Sequence, residues 1–171
     1  PLIVWGQGVI LGEAEKEFKA MVEKTAIPAA WTIMGVSAIP TGHPLNVGMV
    51  GMHGNYGPNV LTNECDVLIA IGMRFDDRVT GNLSEYAKQA KVIHFEIDPA
   101  EVDKNVKTDV AVLGDAKQSL KAILPLLNKN NHSDWLDKFK ALSIIEFEKV
   151  IKGDLYPVSY THLRAHETEA Y

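Results

Sequence analysis

Between Gly72 and Gly81 the chain reads Gly-Met-Arg-Phe-Asp-Asp-Arg-Val-Thr-Gly, which places Arg74, Asp76, Asp77 and Arg78 within five consecutive residues. Two arginines and two carboxylates this close can lock one another into fixed orientations through charge-assisted hydrogen bonds. One arginine could then serve a phosphate and the other a substrate carboxylate. The same residues also allow a plainer arrangement, a solvated charged turn or a helix cap. The segment directly follows Val67-Leu68-Ile69-Ala70-Ile71, the clearest buried strand in the chain. That position favours function, because ligands of open parallel sheets bind outside the carboxyl ends of the strands.

Other residues with chemical potential also follow apolar runs. Gly6-Gln7-Gly8 comes after Leu2 to Trp5, and here a tight turn and a phosphate-binding loop are both open. The third glycine, Gly12, falls one position late for the G-x-G-x-x-G fingerprint. The second strand ends in Trp31-Thr32-Ile33-Met34-Gly35, without the acidic residue that takes an adenosine ribose, so a standard NAD site is disfavoured. Glu96 and Asp98 follow a further strand, as a ribose acceptor and a helix cap respectively. Gly114-Asp115 follows the last one. His53 stands in the glycine-rich stretch Gly48 to Gly57, where nothing local shields it, and Met49 and Met52 suit either core filling or contact with a planar ring. His43 and His132 read as loop residues, His94 alternates with core positions, and Cys65 reads as a small buried residue.

The elements that must position these residues alternate between short apolar runs and helical patterns, the rhythm of an α/β protein. Strands are expected at Leu2 to Trp5, Pro28 to Ile33, Val67 to Ile71, Lys91 to Ile97 and Val110 to Leu113. Helices are expected over Gly12 to Thr25, Asn59 to Glu64, a short stretch after Asp98-Pro99, a stretch from Gly114-Asp115 through Leu127, and Asp134 to Ile151. Gly35 to Gly81 is rich in glycine and proline and is expected to be largely irregular, the kind of long loop that touches a ligand.

Composition removes several classes. The chain has 171 residues, 46% of them hydrophobic, with 17 Lys+Arg against 22 Asp+Glu and a net charge of −5. The basic footprint of a nucleic-acid binder is absent. No apolar run approaches the roughly 20 residues of a membrane span. The single cysteine cannot form an intrachain disulfide, no cluster has metal-ligand spacing, and a reducing compartment is expected. The chain starts inside an apolar run, which suggests a cut.

The run Val47-Gly48-Met49-Val50-Gly51-Met52-His53-Gly54, then Gly72 to Gly81, then Glu96-Ile97-Asp98-Pro99-Ala100-Glu101 resembles the central domain of the acetolactate synthase (acetohydroxyacid synthase) catalytic subunit, a thiamine diphosphate enzyme family. The resemblance implies a three-layer α/β/α, Rossmann-like domain over residues 1–153, with a six-stranded parallel sheet that holds FAD in an extended pose. The implied FAD positions are Gly6, Gln7 and Gly8; Thr32, Ile33 and Met34; Val50, Gly51, Met52 and His53; and Gly72, Met73, Arg74, Asp76, Arg78 and Val79. Glu96, Ile97, Gly114, Asp115 and Ala116 would lie at the adenosine end. Arg78 would meet the carboxylate of the second 2-oxo acid, and Asp77 would line the access channel. The implied reaction decarboxylates pyruvate and joins the product to pyruvate or 2-oxobutanoate, in branched-chain amino-acid synthesis. It needs thiamine diphosphate and Mg2+, held by N- and C-terminal domains outside this chain. A cytoplasmic bacterial parent, a homodimer or homotetramer and a small regulatory subunit are further implications, with no nucleic-acid or membrane partner and no metal ligand in this domain.

Gln7 stands where the family commonly has glycine, and would be strained if that position required a positive φ. Trp31 is bulkier than the small or hydroxyl residue usual before Thr32. Residues 154–157 would be a truncated linker. The last 14 residues, Val158 to Tyr171, resemble a translated sequencing adapter and are expected to be a foreign, unstructured tail. Two other classes remain open on the residues alone: a pyruvate oxidase-like flavoenzyme or other nucleotide-dependent oxidoreductase, and a noncatalytic nucleotide-binding module.

Overall fold

In the computed structural model the backbone is described for residues 1–152 and the side chains for residues 1–149. The expected linker at 154–157 and tail at 158–171 lie outside the described residues. Strand β1 (Leu2–Trp5) is buried on both faces, Ile3 and Trp5 joining one core and Leu2 and Val4 the other. That two-sided burial is what a near-continuous apolar run in a parallel sheet achieves. The first core takes Val9 from α1 (Gln7–Leu11), then Phe18, Met21 and Val22 from α2 (Glu15–Thr25). Fully burying a side chain such as Phe18 contributes about 1.5–3 kcal/mol. Next come β2 (Ala29–Trp31), β3 (Asn46–Met49) and α3 (Tyr56–Thr62), which gives Leu61 to the second core. They are followed by β4 (Val67–Ile71), the four-residue α4 (Asp77–Thr80), β5 (Lys91–Glu96) and β6 (Val110–Leu113). Helix α5 (Ala116–Ile123) adds Leu120 to the first core, and α6 (Ser133–Lys152) adds Phe139 to the second. The result is the expected three-layer α/β/α arrangement, with six parallel strands in the order β3-β2-β1-β4-β5-β6.

Several local expectations are corrected. The strands read from pattern number five. The sixth, β3, lies in the stretch expected to be irregular, at the sheet edge beside β2, with a register shift between Ala29 and Trp31. Its sequence Asn-Val-Gly-Met has little intrinsic strand preference, so pairing with β2 is what holds it extended. The helix expected over Gly12 to Thr25 begins only at Glu15, and a separate helix, α1, occupies Gln7–Leu11 ahead of it; between the two, Glu13 takes φ 49°. Gln7 is the first residue of α1 and is not among the positive-φ residues, so glutamine there is unstrained. Helix α3 starts three residues earlier than Asn59, with Pro58 inside its first turn, where a missing N–H costs nothing. Strands β2 and β5 are shorter than expected, and the chain after β2 forms a 3-10 turn at Ile33–Gly35. Pro99–Glu101 and Leu124–Leu126 are also 3-10 turns, the latter ending α5. Trp31 packs partly buried against the first core, but its indole Nε1 is buried with no partner among the described residues.

Candidate functional site

Because every strand runs parallel, the segments after β1, β2, β3, β4, β5 and β6 all emerge along one edge. With strands about 4.8 Å apart, that edge spans roughly 24 Å from β3 to β6. The strand order reverses between β1 and β4, the position at which such sheets open a ligand crevice. Here the two loops at the reversal are joined directly. Gly6 N–H donates to Ile71 O at 3.0 Å and Gly8 N–H to Gly72 O at 2.8 Å. Gly72 takes φ +57°, a conformation that costs an L side chain roughly 1 kcal/mol or more.

The neighbouring segments close onto this pair. After β2, Thr32 N–H donates to Trp5 O at 2.9 Å, and Trp5 Nε1–H donates to Gly35 O at 2.7 Å. After β3, Met52 N–H donates to Arg78 O at 2.8 Å. Gly51, at φ +108°, lets that contact form, since a Cβ would lie 2.6 Å from Arg78 O. Asn59 clamps Gly51 on both sides, accepting from Gly51 N–H at 2.9 Å and donating to Gly51 O at 2.8 Å. At the far end, Gly114 N–H donates to Glu96 O at 3.0 Å, and Asp115 caps α5 by accepting from Gln118 N–H. The segments carrying the expected site residues, from Thr32 to Ala116, thus form one continuous rim.

Within the rim, Asp76 is the N-cap of α4, its Oδ1 accepting from the amides of Arg78 at 3.0 Å and Val79 at 3.3 Å. The helix-cap arrangement left open by the sequence is therefore present, and it organises the charge cluster. Arg74 Nε lies 3.5 Å from Asp76 Oδ2 with its side chain 68% exposed. Arg78 is 74% exposed, its Nε 4.0 Å from Asp77 Oδ2 and its Nη1 donating to Met52 Sδ at 3.3 Å. The two arginines do not lock each other. Each keeps a guanidinium directed to solvent at the rim.

Glu96 spends one oxygen locally, Oε1 accepting from the amides of Ile97 at 2.9 Å and Asp98 at 3.2 Å. Asp98 is a cap, accepting from Ala100 N–H at 2.9 Å. His53 is exposed and makes no hydrogen bond to a described residue. Ile33, Met34, Met52, Ile97 and Leu113 are all exposed large apolar side chains on this one edge. Exposed apolar groups beside arginines suit an elongated ligand with a flat ring and an anionic centre. Among the described residues no group of three or more potential ligands could hold a metal ion, and no helix is long and apolar enough to cross a membrane.

Sequence reasoning missed three residues that build the rim. Asn59 was noted only as a helix start. His94, fully buried, has Nε2 2.9 Å from Met73 O. Asn105 Nδ2 donates to Phe75 O at 2.6 Å. No local signal marks them, because each acts on backbone 8 to 30 residues away.

The family model described as "Thiamine pyrophosphate enzyme, central domain" matches residues 1–123. A probable acetolactate synthase large subunit of Methanocaldococcus jannaschii is 47% identical over 150 residues, covering 84% of this chain and 25% of that protein. The acetolactate synthase large subunit of Parasynechococcus marenigrum is 50% identical over 120 residues, 70% of this chain and 19% of that protein. The acetolactate synthase isozyme 3 large subunit of Escherichia coli is 38% identical over 140 residues, 82% of this chain and 24% of that protein. The chain spans about a quarter of the length of the curated relatives it matches.

Proposed function

The chain belongs to the central-domain family of thiamine pyrophosphate enzymes, and on that premise we propose that it is the FAD-binding central part of an acetolactate synthase large subunit. The observation that carries this is the rim itself. Arg74 and the exposed Ile33, Met34, Met52 and Ile97 occupy one edge of the sheet, at and around the strand-order reversal. The residues present fit an extended flavin dinucleotide. Arg74 would meet its phosphates, Ile33, Met34 and Met52 its ring system, and Glu96 with Ile97 and Asp115 its adenosine end. Arg78, 74% exposed and backed by the Met52 loop, would bind the carboxylate of the second 2-oxo acid, with Asp77 beside the approach.

In the parent protein, thiamine diphosphate and Mg2+ on other domains would supply the electron sink for decarboxylating pyruvate. This domain's share is to hold FAD and orient the acceptor 2-oxo acid. Its own N- and C-terminal domains, a second or fourth copy, a small regulatory subunit and a cytoplasmic setting belong to the same proposal. The test is a flavin-fluorescence titration of the full chain. Saturable quenching by FAD, weaker for FMN, is expected, and no saturable binding up to millimolar FAD would remove the cofactor from the proposal.

A further inference from the structure

Five consecutive carbonyls at and after the end of β4 accept hydrogen bonds. Ile71 O and Gly72 O take the amides of Gly6 and Gly8, and Arg74 O takes the amide of Asp76 at 2.9 Å. The remaining two are held by side chains from outside the loop. Met73 O lies 2.9 Å from His94 Nε2, and Phe75 O accepts from Asn105 Nδ2 at 2.6 Å. These are the carbonyls of the residues on either side of Arg74.

A carbonyl can only accept, so Nε2 is the protonated nitrogen of His94 in this bond. A fully buried imidazole is costly unless hydrogen-bonded, and among the described residues Nδ1 has no partner, so the bond to Met73 O is the one that places the ring. The ring also lies edge-on to Phe75, with centroids 5.0 Å apart, and Nε2 is 3.7 Å from Glu96 Oε2. Arg74, in contrast, has among the described residues only a solvent-exposed ion pair with Asp76 to orient its guanidinium, and such pairs restrain little. Its direction must come from its backbone.

We propose that His94 and Asn105 are positioning residues for Arg74, holding the carbonyls of its two neighbours, Met73 and Phe75, so that the guanidinium is presented to an anionic ligand group without further ordering. The identity of that group as a flavin dinucleotide phosphate rests on the function proposed above; the restraint on the backbone does not.

The experiment combines amide exchange by NMR with FAD titration on the full chain. His94→Leu and Asn105→Ala each remove one hydrogen bond from the loop, worth a factor of about three to ten. Exchange of the Asp76 amide, which bonds Arg74 O, should accelerate by that factor while the Val4 amide of β1 stays unchanged. The dissociation constant for FAD should rise by a similar factor. His94→Gln, whose amide reaches Met73 O, should restore both. Asn105 is exposed, so Asn105→Ala remains decisive if His94→Leu does not fold. Unchanged Asp76 exchange in Asn105→Ala would overturn the proposal, as would faster exchange with unaltered FAD affinity. If the unaltered chain binds no FAD, the cofactor proposal fails, and Asp76 exchange alone then decides this one.

Discussion

Gly8 and Gly72 meet backbone to backbone: a Cβ on Gly8 would lie 2.6 Å from Gly72 Cα, and one on Gly72 would lie 2.7 Å from Gly8 Cα. The contact fastens the β1 and β4 loops together where the strand order reverses. Gly8→Ala is expected to destabilise the chain by about 1–3 kcal/mol, the usual range for overpacking. Gly72→Ala should cost more, because it adds the strain of a positive φ to the same clash. Urea titrations of the two variants check the order, and equal or negligible losses would mean that the loops separate readily.

Arg74 and Arg78 are expected to separate by product analysis in the full-length parent. If Arg78 meets the acceptor's carboxylate as proposed, Arg78→Ala removes a charge-assisted hydrogen bond and costs about 1.5–3 kcal/mol, one to two orders of magnitude in acceptor capture. Decarboxylation of the first pyruvate should continue, diverting product to acetaldehyde or other acceptors. Arg74→Ala should instead raise the FAD concentration needed for activity. If at saturating FAD Arg74→Ala loses acceptor preference and Arg78→Ala keeps it, the two roles are reversed.

Cys65 is buried at the start of β4's approach, its Sγ 3.2 Å from Thr62 O. Burial pushes its thiol from the ordinary 9.0 up to about 11. A folded value above the unfolded one favours the protonated form. Its contribution to stability is therefore complete below about 9 and lost as pH rises toward 11. Denaturation at pH 8 and pH 10.5 should show a larger loss for the unaltered chain than for Cys65→Ala, because buried Tyr86, also pushed upward, loses stability in both. Thiol labelling at pH 8 should be slow until denaturant is added.

The 171-residue chain, supplied with pyruvate, thiamine diphosphate, Mg2+ and FAD, is expected to form no acetolactate, because it carries no Gly-Asp-Gly metal motif. A colorimetric acetoin assay checks this. Turnover above a heat-treated control would show that the chain holds more of the reaction than proposed here.

The sequence by itself determined the core strands and the edge where glycines and charges gather. Val67 to Ile71 is a continuous apolar run, and a residue pattern of that kind is local, so its burial between two helical layers can be read without knowing its neighbours. The position of Gly72 to Gly81 at the carboxyl end of a strand was legible for the same reason, since its charges and glycines stand directly after that run. Only the tertiary structure decided β3, which is extended because β2 lies beside it, and the separate helix α1 ahead of Glu13. It also decided that Asp76 serves as a cap while both arginines stay exposed. The pairings of Asn59 with Gly51, His94 with Met73 and Asn105 with Phe75 join positions 8, 21 and 30 residues apart. Such bonds exist only after the sheet has brought distant segments to one edge, and no short stretch of sequence encodes a partner that folding alone delivers.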